Sequence, residues 1–263
     1  MLSLAEHAHI VVGGGFLIGF LIGITGVGAG SLTTPLLISG VGIPPAVAVG
    51  TDLLFAAITK MSAALRHHRL GNVDWPILGW LAAGSLPGAA AVLAWLYLAA
   101  PDTASIATFV KRSLAVTLVV SAVAILLFPY LKRLHVTEAA DGTPARPLPT
   151  IIFGLVLGAA VALTSVGAGA IGVAVLTGLY TLMPMRRVVG TDIVHAVPLT
   201  FVSGLGHMGL GHIDWIVLAG LLSGSIPGIL IGSRLTGRLP EWFLRIALAI
   251  VLCYAAWLLY LKS

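Results

Sequence analysis

Two short stretches of this chain carry the groups with which a backbone inside a membrane could bind an ion. The first is Thr25-Gly26-Val27-Gly28-Ala29-Gly30-Ser31 and the second Thr164-Ser165-Val166-Gly167-Ala168-Gly169, each in the middle of an apolar run, 10–39 and 151–182. A glycine-rich break in such a run frees backbone N–H and C=O groups, which persist at membrane depth only where they are buried in protein or face water and ligand. A helix that starts after the break aims free N–H groups and the positive end of its dipole at whatever sits there. With the hydroxyls of Thr25, Ser31, Thr164 and Ser165 beside them, the chemistry on offer is anion binding. Close helix packing is the other use of such glycines; the matched pair favours the ligand site. A dinucleotide fingerprint is excluded, because GxGxxG would need Gly in place of Ser31 and a preceding strand.

Four titratable residues stand near these breaks in the pattern. Asp52 and Asp192 each follow a Gly-Thr pair, Gly50-Thr51 and Gly190-Thr191, near the start of an apolar segment. An acid there is costly unless it caps a helix, complementing its dipole, or serves in gating or proton handling. In the second case Thr51 and Thr191 would donate to the ligand. Lys60, eight residues past Asp52, either joins that charge handling or snorkels to the membrane boundary. His195 shares a helix face with Thr191, where an imidazole can hydrogen-bond or neutralise an anion and titrates near neutral pH. Its counterpart in the matching segment is Phe55, so the two half-sites are chemically unequal. His67, His68, His207 and His212 lack the spacing of a metal site and read as interfacial loop residues. The single cysteine, Cys253, reads as a small hydrophobe facing lipid or a neighbouring helix. No metal and no cofactor is expected.

Membrane helices must position these groups. Of 263 residues 59% are hydrophobic and 9% charged, and mean hydropathy is +1.08, which is more apolar surface than a soluble globule can hide. Segments 46–65, 75–98, 107–130, 188–205, 215–232 and 242–261 each approach the roughly 20 apolar residues that a bilayer core demands. The net charge of +5 lies in short hydrophilic breaks between them, where it reports orientation and not a nucleic-acid partner. The opening MLSLAEHAHI carries no Lys or Arg and reads as retained, not as a signal peptide. Shifting the chain by 140 residues aligns Gly50-Thr51-Asp52 with Gly190-Thr191-Asp192, Asp74-Trp75 with Asp214-Trp215, and Gly84-Ser85-x-Pro87-Gly88 with Gly224-Ser225-x-Pro227-Gly228. Across 50–88, 16 of 39 positions are identical, the mark of a duplicated unit. The Gly-Ser-x-Pro-Gly pairs are expected to kink spans where helices cross closely.

Lys and Arg then set the topology. They occur in 66–74, in the linker 131–149, near 184 and in 233–241, while 40–45, 99–105 and 206–213 carry none. If positive loops are cytoplasmic, the linker and Arg186-Arg187 share a side although 151–182 separates them, so that run goes in and comes back. Arms of about 14 residues, about 21 Å, suit a re-entrant hairpin and not two spans. The same reasoning keeps both ends of 10–39 outside, with the N-terminus. The expected fold is an all-α polytopic membrane protein of two inverted repeats, each a re-entrant hairpin plus three transmembrane helices. The first repeat is 1–130, the cytoplasmic linker 131–149 and the second repeat 150–263. A count of eight full spans is the rival and would put Arg186 and Arg187 outside.

The run TGVGAGSLTTPLL, the pair VGTDLL and VGTDIV, and the pair GNVDW and GHIDW resemble the TauE/SafE family of sulfite and organosulfonate exporters, over about residues 16–261. The resemblance implies a permease of the cell (inner) membrane for a small sulfur-containing anion such as sulfite or an organosulfonate; sulfur enters from it alone. The residues themselves point to a secondary transporter working by alternating access, with a small anion and the lipid bilayer as partners. Without a nucleotide motif, a coupling ion, proton or sodium, or the substrate's own gradient must drive it. A channel or transporter for a different solute, such as a cation held by the paired aspartates, is the runner-up. An intramembrane enzyme using His195 and the aspartates lacks a recognisable nucleophile. The sequence leaves a homo-oligomer open.

Overall fold

The computed structural model describes residues 4–25, 30–99, 103–133, 145–235 and 240–261. The described chain is helical: α1 (Leu4–Thr25), α2 (Gly30–Pro35) running into a π-helical turn (Leu36–Val41), α3 (Pro45–Arg69), α4 (Trp75–Ala99) and α5 (Thr103–Arg133), then α6 (Pro147–Thr164), α7 (Ala170–Leu179), α8 (Met185–Gly209), α9 (Trp215–Arg234) and α10 (Glu241–Leu261). Among the described residues seven helices are long and apolar enough to cross a membrane, α3 to α6 and α8 to α10. The protein is a polytopic helical membrane protein. The bundle leaves apolar faces open: on α5 Val116, Val120 and Val123 are exposed while Leu114, Leu118 and Ala122 are buried against α10 and the core. Cys253 is exposed on α10.

The two halves interlock. α1 packs along α9 and α6 along α4, so the first helix of each half lies on the fourth helix of the other; α3 packs on α8 and α5 on α10. Glycine makes the first two contacts possible. Gly15 and Gly19 face the carbonyls of Leu221 and Ser225, and Gly224 and Gly228 face those of Val12 and Phe16. The other half repeats this, with Gly154 and Gly158 on Leu81 and Ser85, and Gly84 and Gly88 on Ile151 and Leu155. A Cβ at any of these positions would collide with backbone, so the helices approach as closely as small residues allow. The Gly-Ser-x-Pro-Gly motifs are therefore contact surfaces, with Pro87 and Pro227 carried inside their helices.

The ends interlock too. Thr51 Oγ1 accepts a hydrogen bond from the Asp214 amide at 3.0 Å, and Thr191 Oγ1 from the Asp74 amide at 2.9 Å. Gly50 lies against the His212 carbonyl and Gly190 against that of Asn72. Asp74 and Asp214 in turn accept from first-turn amides of α4 and α9. α3 and α8 are thus antiparallel, each with its start beside the loop that follows the other. An Arg187–Asp74 pair at 3.6 Å adds to the contact at the start of α8.

The second glycine-broken run returns toward its origin. Thr150 in the first turn of α6 bonds the Tyr180 hydroxyl at 2.6 Å, and that hydroxyl donates to the Arg146 carbonyl at 3.3 Å. Its arms are unequal, unlike the two of about 14 residues expected. α6 has 18 residues, about 27 Å, and α7 has 10, about 15 Å. The difference arises because α6 starts at Pro147, where proline suits a first helical turn, while the unwound 165–169 uses up chain before α7. In the first run α1 likewise starts early, at Leu4, and has 22 residues. Of the linker 131–149, residues 134–144 lie outside the described residues; α5 runs to Arg133.

Candidate functional site

Residues 165–169 between α6 and α7 form the break. Ser165 ends α6 with φ 60°, and among the described residues it alone has a positive φ without being glycine; Gly167 at φ 122° and Gly169 at φ 120° carry the chain on to α7. Left-handed backbone at a serine is strained and held by its surroundings. Thr164 helps hold it, donating to the Ala160 carbonyl at 2.7 Å and accepting from the Val166 amide at 3.2 Å. Thr164, Ser165, Val166, Gly167 and Gly169 are buried, Ala168 partly so.

The break gathers four of the sequence-selected side chains. Asp52, fully buried on α3, accepts from Thr34 Oγ1 at 2.5 Å, with the Ser165 and Thr33 hydroxyls nearby. Asp192, fully buried on α8, lies beside the Gly169 amide and against Gly172, where a Cβ would take the place of its Oδ1. Lys60 donates from Nζ to the Ala168 carbonyl at 3.0 Å and faces both acids. His195, on α8, pairs Nε2 with Ser85 Oγ at 2.7 Å and also faces Lys60. Among the described residues neither acid is in an ion pair. Because α3 and α8 are antiparallel and each acid stands about 10 Å along its helix from the start, the aspartates lie at different depths. The unwound segment runs between them: Ser165 near Asp52, Ala168 on Lys60, Gly169 near Asp192.

Other expectations resolve differently. Asp52 and Asp192 are not caps, since their helices begin at Pro45 and Met185, two turns earlier, behind Pro44 and Pro184. Thr51 and Thr191 turn their hydroxyls to the opposite half's loops. Lys60 does not reach for a boundary; its ammonium turns inward. His207 is no loop residue: it is buried in α8, Nε2 2.9 Å from the Ala162 carbonyl and Nδ1 3.3 Å from His212 Nδ1. His212, outside the spans, is half-buried, and that burial pushes its imidazole below the ordinary 6.5. In the first break Gly26, Val27, Gly28 and Ala29 lie outside the described residues; Thr25 and Gly30 are the flanking helix ends, and Ser31 is partly buried.

The site is unsymmetrical in a way the repeat makes visible. Where one half has Lys60 the other has Thr200, bonded to its own helix at Ala196; where one has His195 the other has Phe55. Both acids stand against the first turns of their own half's short arm, but Asp52 meets the Thr33 and Thr34 hydroxyls and Asp192 meets the bare backbone of Gly172. Thr33, Thr34, Gly172 and Ser85 were not singled out as site residues from the sequence. The available signal was a polar pair inside the apolar run 10–39 and a serine repeated within two spans.

The family model described as sulfite exporter TauE/SafE matches residues 11–259. The probable membrane transporter protein YjnA of Bacillus subtilis is 36% identical over 226 residues, 85% of this chain and 88% of that protein. A second from Bacillus subtilis, the probable membrane transporter protein YdhB, is 28% identical over 93% of this chain and 96% of its own. A probable membrane transporter protein of Haemophilus influenzae is 26% identical over 94% and 96%. No solved structure gives a significant match. With a matching model over nearly its whole length and a buried polar break at its centre, the chain belongs to the TauE/SafE sulfite exporter family of membrane transporters.

Proposed function

We propose that the protein is a secondary transporter of a small sulfur-containing anion, such as sulfite or an organosulfonate, and that the anion binds at the break between α6 and α7. The single observation that carries this is Lys60 Nζ on the Ala168 carbonyl at 3.0 Å, a cation turned onto unwound backbone inside a membrane protein. An ammonium there, with the α7 N-terminus and the Ser165 hydroxyl, supplies what an oxyanion needs. His195 adds a donor or acceptor according to tautomer. The family's description supports sulfur as the central atom. Asp52 and Asp192, at different depths, serve as gates or proton carriers toward opposite sides, the pattern that alternating access requires. In this reading the positive loops face the cytoplasm of the inner membrane, the N-terminus lies outside, both broken runs are re-entrant, and the substrate leaves chemically unchanged.

The test is flux of sulfite and of sulfoacetate into proteoliposomes. Wild type carries at least one of them, and Lys60→Met lowers the rate at least tenfold while the purified variant stays monodisperse. Transport of neither by wild type, or undiminished flux in Lys60→Met, rejects the reading. Asp52 and Asp192 support a second reading, a cation held between carboxylates; cation uptake lost in Asp52→Asn and Asp192→Asn would support it instead.

A further inference from the structure

The unequal surroundings of the two aspartates bear on how transport is driven. α7 is a ten-residue helix whose first turn opens on the unwound segment at Gly169, with the Gly172 amide bonded back to the Gly167 carbonyl, so its preceding N–H groups and positive dipole end face the break. Asp192 is aimed at that turn. It is fully buried beside the Gly169 amide, among the described residues neither carboxylate oxygen is bonded to a side chain, and Gly172 in the first turn of α7 has no side chain where Oδ1 lies. Asp52, its counterpart, is instead held by the Thr34 hydroxyl. Among the described residues the groups that bear on Asp192 are Lys60 from α3 and the backbone of Gly169 and Gly172 from α7; His195 stands one turn on along α8 and is itself paired with Ser85 of α4. One helix N-terminus thus has two claimants, the protein's own carboxylate and, on the reading proposed above, the substrate anion.

We infer that the Asp192 carboxylate is a built-in occupant of the α7 N-terminus that yields its place to a substrate anion only by taking up a proton, so that each anion crosses with one proton. The inference rests on the anion-transport reading. Two negative groups cannot share one dry helix end next to a single ammonium. The proton comes from water on the side where the anion enters, resides on the Asp192 carboxyl while the anion occupies the α7 end, and returns to water on the other side when the anion leaves and the carboxylate resumes its place. Charge balance follows: a monovalent anion moves electroneutrally.

The test is flux of methanesulfonate, which binds no proton near neutral pH, into proteoliposomes under an imposed pH difference and, separately, an imposed membrane potential. In wild type a pH gradient drives uptake, pyranine reports one proton moved per anion, and a potential of about 60 mV alters the rate less than twofold. Asp192→Asn removes the proton and leaves one net charge per turnover, so the residual flux becomes insensitive to the pH gradient and responds to the same 60 mV roughly tenfold. Gly172→Ala, whose Cβ would displace the carboxylate oxygen while keeping the acid, is expected to behave like Asp192→Asn and serves where that variant fails to fold. Wild-type flux driven by potential and indifferent to pH overturns the inference and leaves anion transport standing. Electroneutral, proton-linked flux in both variants also overturns it. Wild-type protein that carries none of methanesulfonate, sulfite and sulfoacetate rejects the anion reading, and the inference with it.

Discussion

Ser165 concentrates in one residue the cost of opening a helix inside a membrane. Its φ of 60° costs an L residue about 1–2 kcal/mol that glycine avoids, and the counterpart position in the first break is Gly26. Evolution's other half of the same chain uses the cheaper residue, so the serine hydroxyl beside Asp52 has a reason beyond backbone shape. Ser165→Gly should therefore raise the melting temperature of the detergent-solubilised protein, by an amount equivalent to about 1 kcal/mol, yet lower anion flux severalfold. Ser165→Val should lower both, since a β-branched residue tolerates that backbone poorly. A Ser165→Gly variant that transports at the wild-type rate would deny the hydroxyl any part in the site.

Helix pairing depends on glycines that meet backbone and not on glycines in general. Gly158 faces the Ser85 carbonyl, and among the described residues Gly13 has nothing within 4 Å of where a Cβ would stand. Gly158→Leu should cost about 3 kcal/mol as overpacking against backbone and appear as loss of the monodisperse peak. Gly13→Ala should be neutral or gain up to about 1 kcal/mol. The sequence distinguishes these glycines poorly. Hydropathy marks the apolar segments and the 140-residue shift exposes Gly84, Gly88, Gly224 and Gly228 as a motif, because both signals are local. That Gly84 meets Ile151 and Gly224 meets Val12 is a pairing between distant segments, to which no local pattern points. The same holds at the site: Asp52, Asp192, His195 and the breaks are visible as oddities in apolar runs, but Thr34 on Asp52 and Ser85 on His195 are contacts between helices. Element ends carry a further consequence. His212 is pushed below its ordinary 6.5 by burial, so the unfolded chain takes a proton there more readily than the folded one, and stability falls as pH drops through and below about 6.5. Replacing it with the asparagine that the first half has at Asn72, His212→Asn, should flatten the decline in melting temperature between pH 7.5 and 5.5; an unchanged slope would assign that decline to other groups.

The whole molecule is assembled from contacts between halves more than within them. α1 on α9, α4 on α6, α3 on α8 and α5 on α10 each join one half to the other, the Thr51–Asp214 and Thr191–Asp74 bonds do so again at the loops, and Lys60 of one half reaches the break of the other. A half alone would present glycine-lined helix faces with nothing to fill them, and in lipid, where no hydrophobic drive exists, close packing of such faces supplies much of the association. The covalent linker is then dispensable for the fold, although both halves are indispensable for the site. Expressed as two chains divided between residues 140 and 141, the halves should copurify through a tag on either one and regain sulfite flux within severalfold of the intact protein. Each half expressed alone should aggregate in detergent and carry nothing. Introducing Gly158→Leu into the second chain should abolish copurification by blocking α6 from α4, whereas Gly13→Ala in the first should not. Copurification that survives Gly158→Leu would show that the α4–α6 seam does not hold the halves together, and a single half that folds and transports would reduce the interlock to a consequence of tethering.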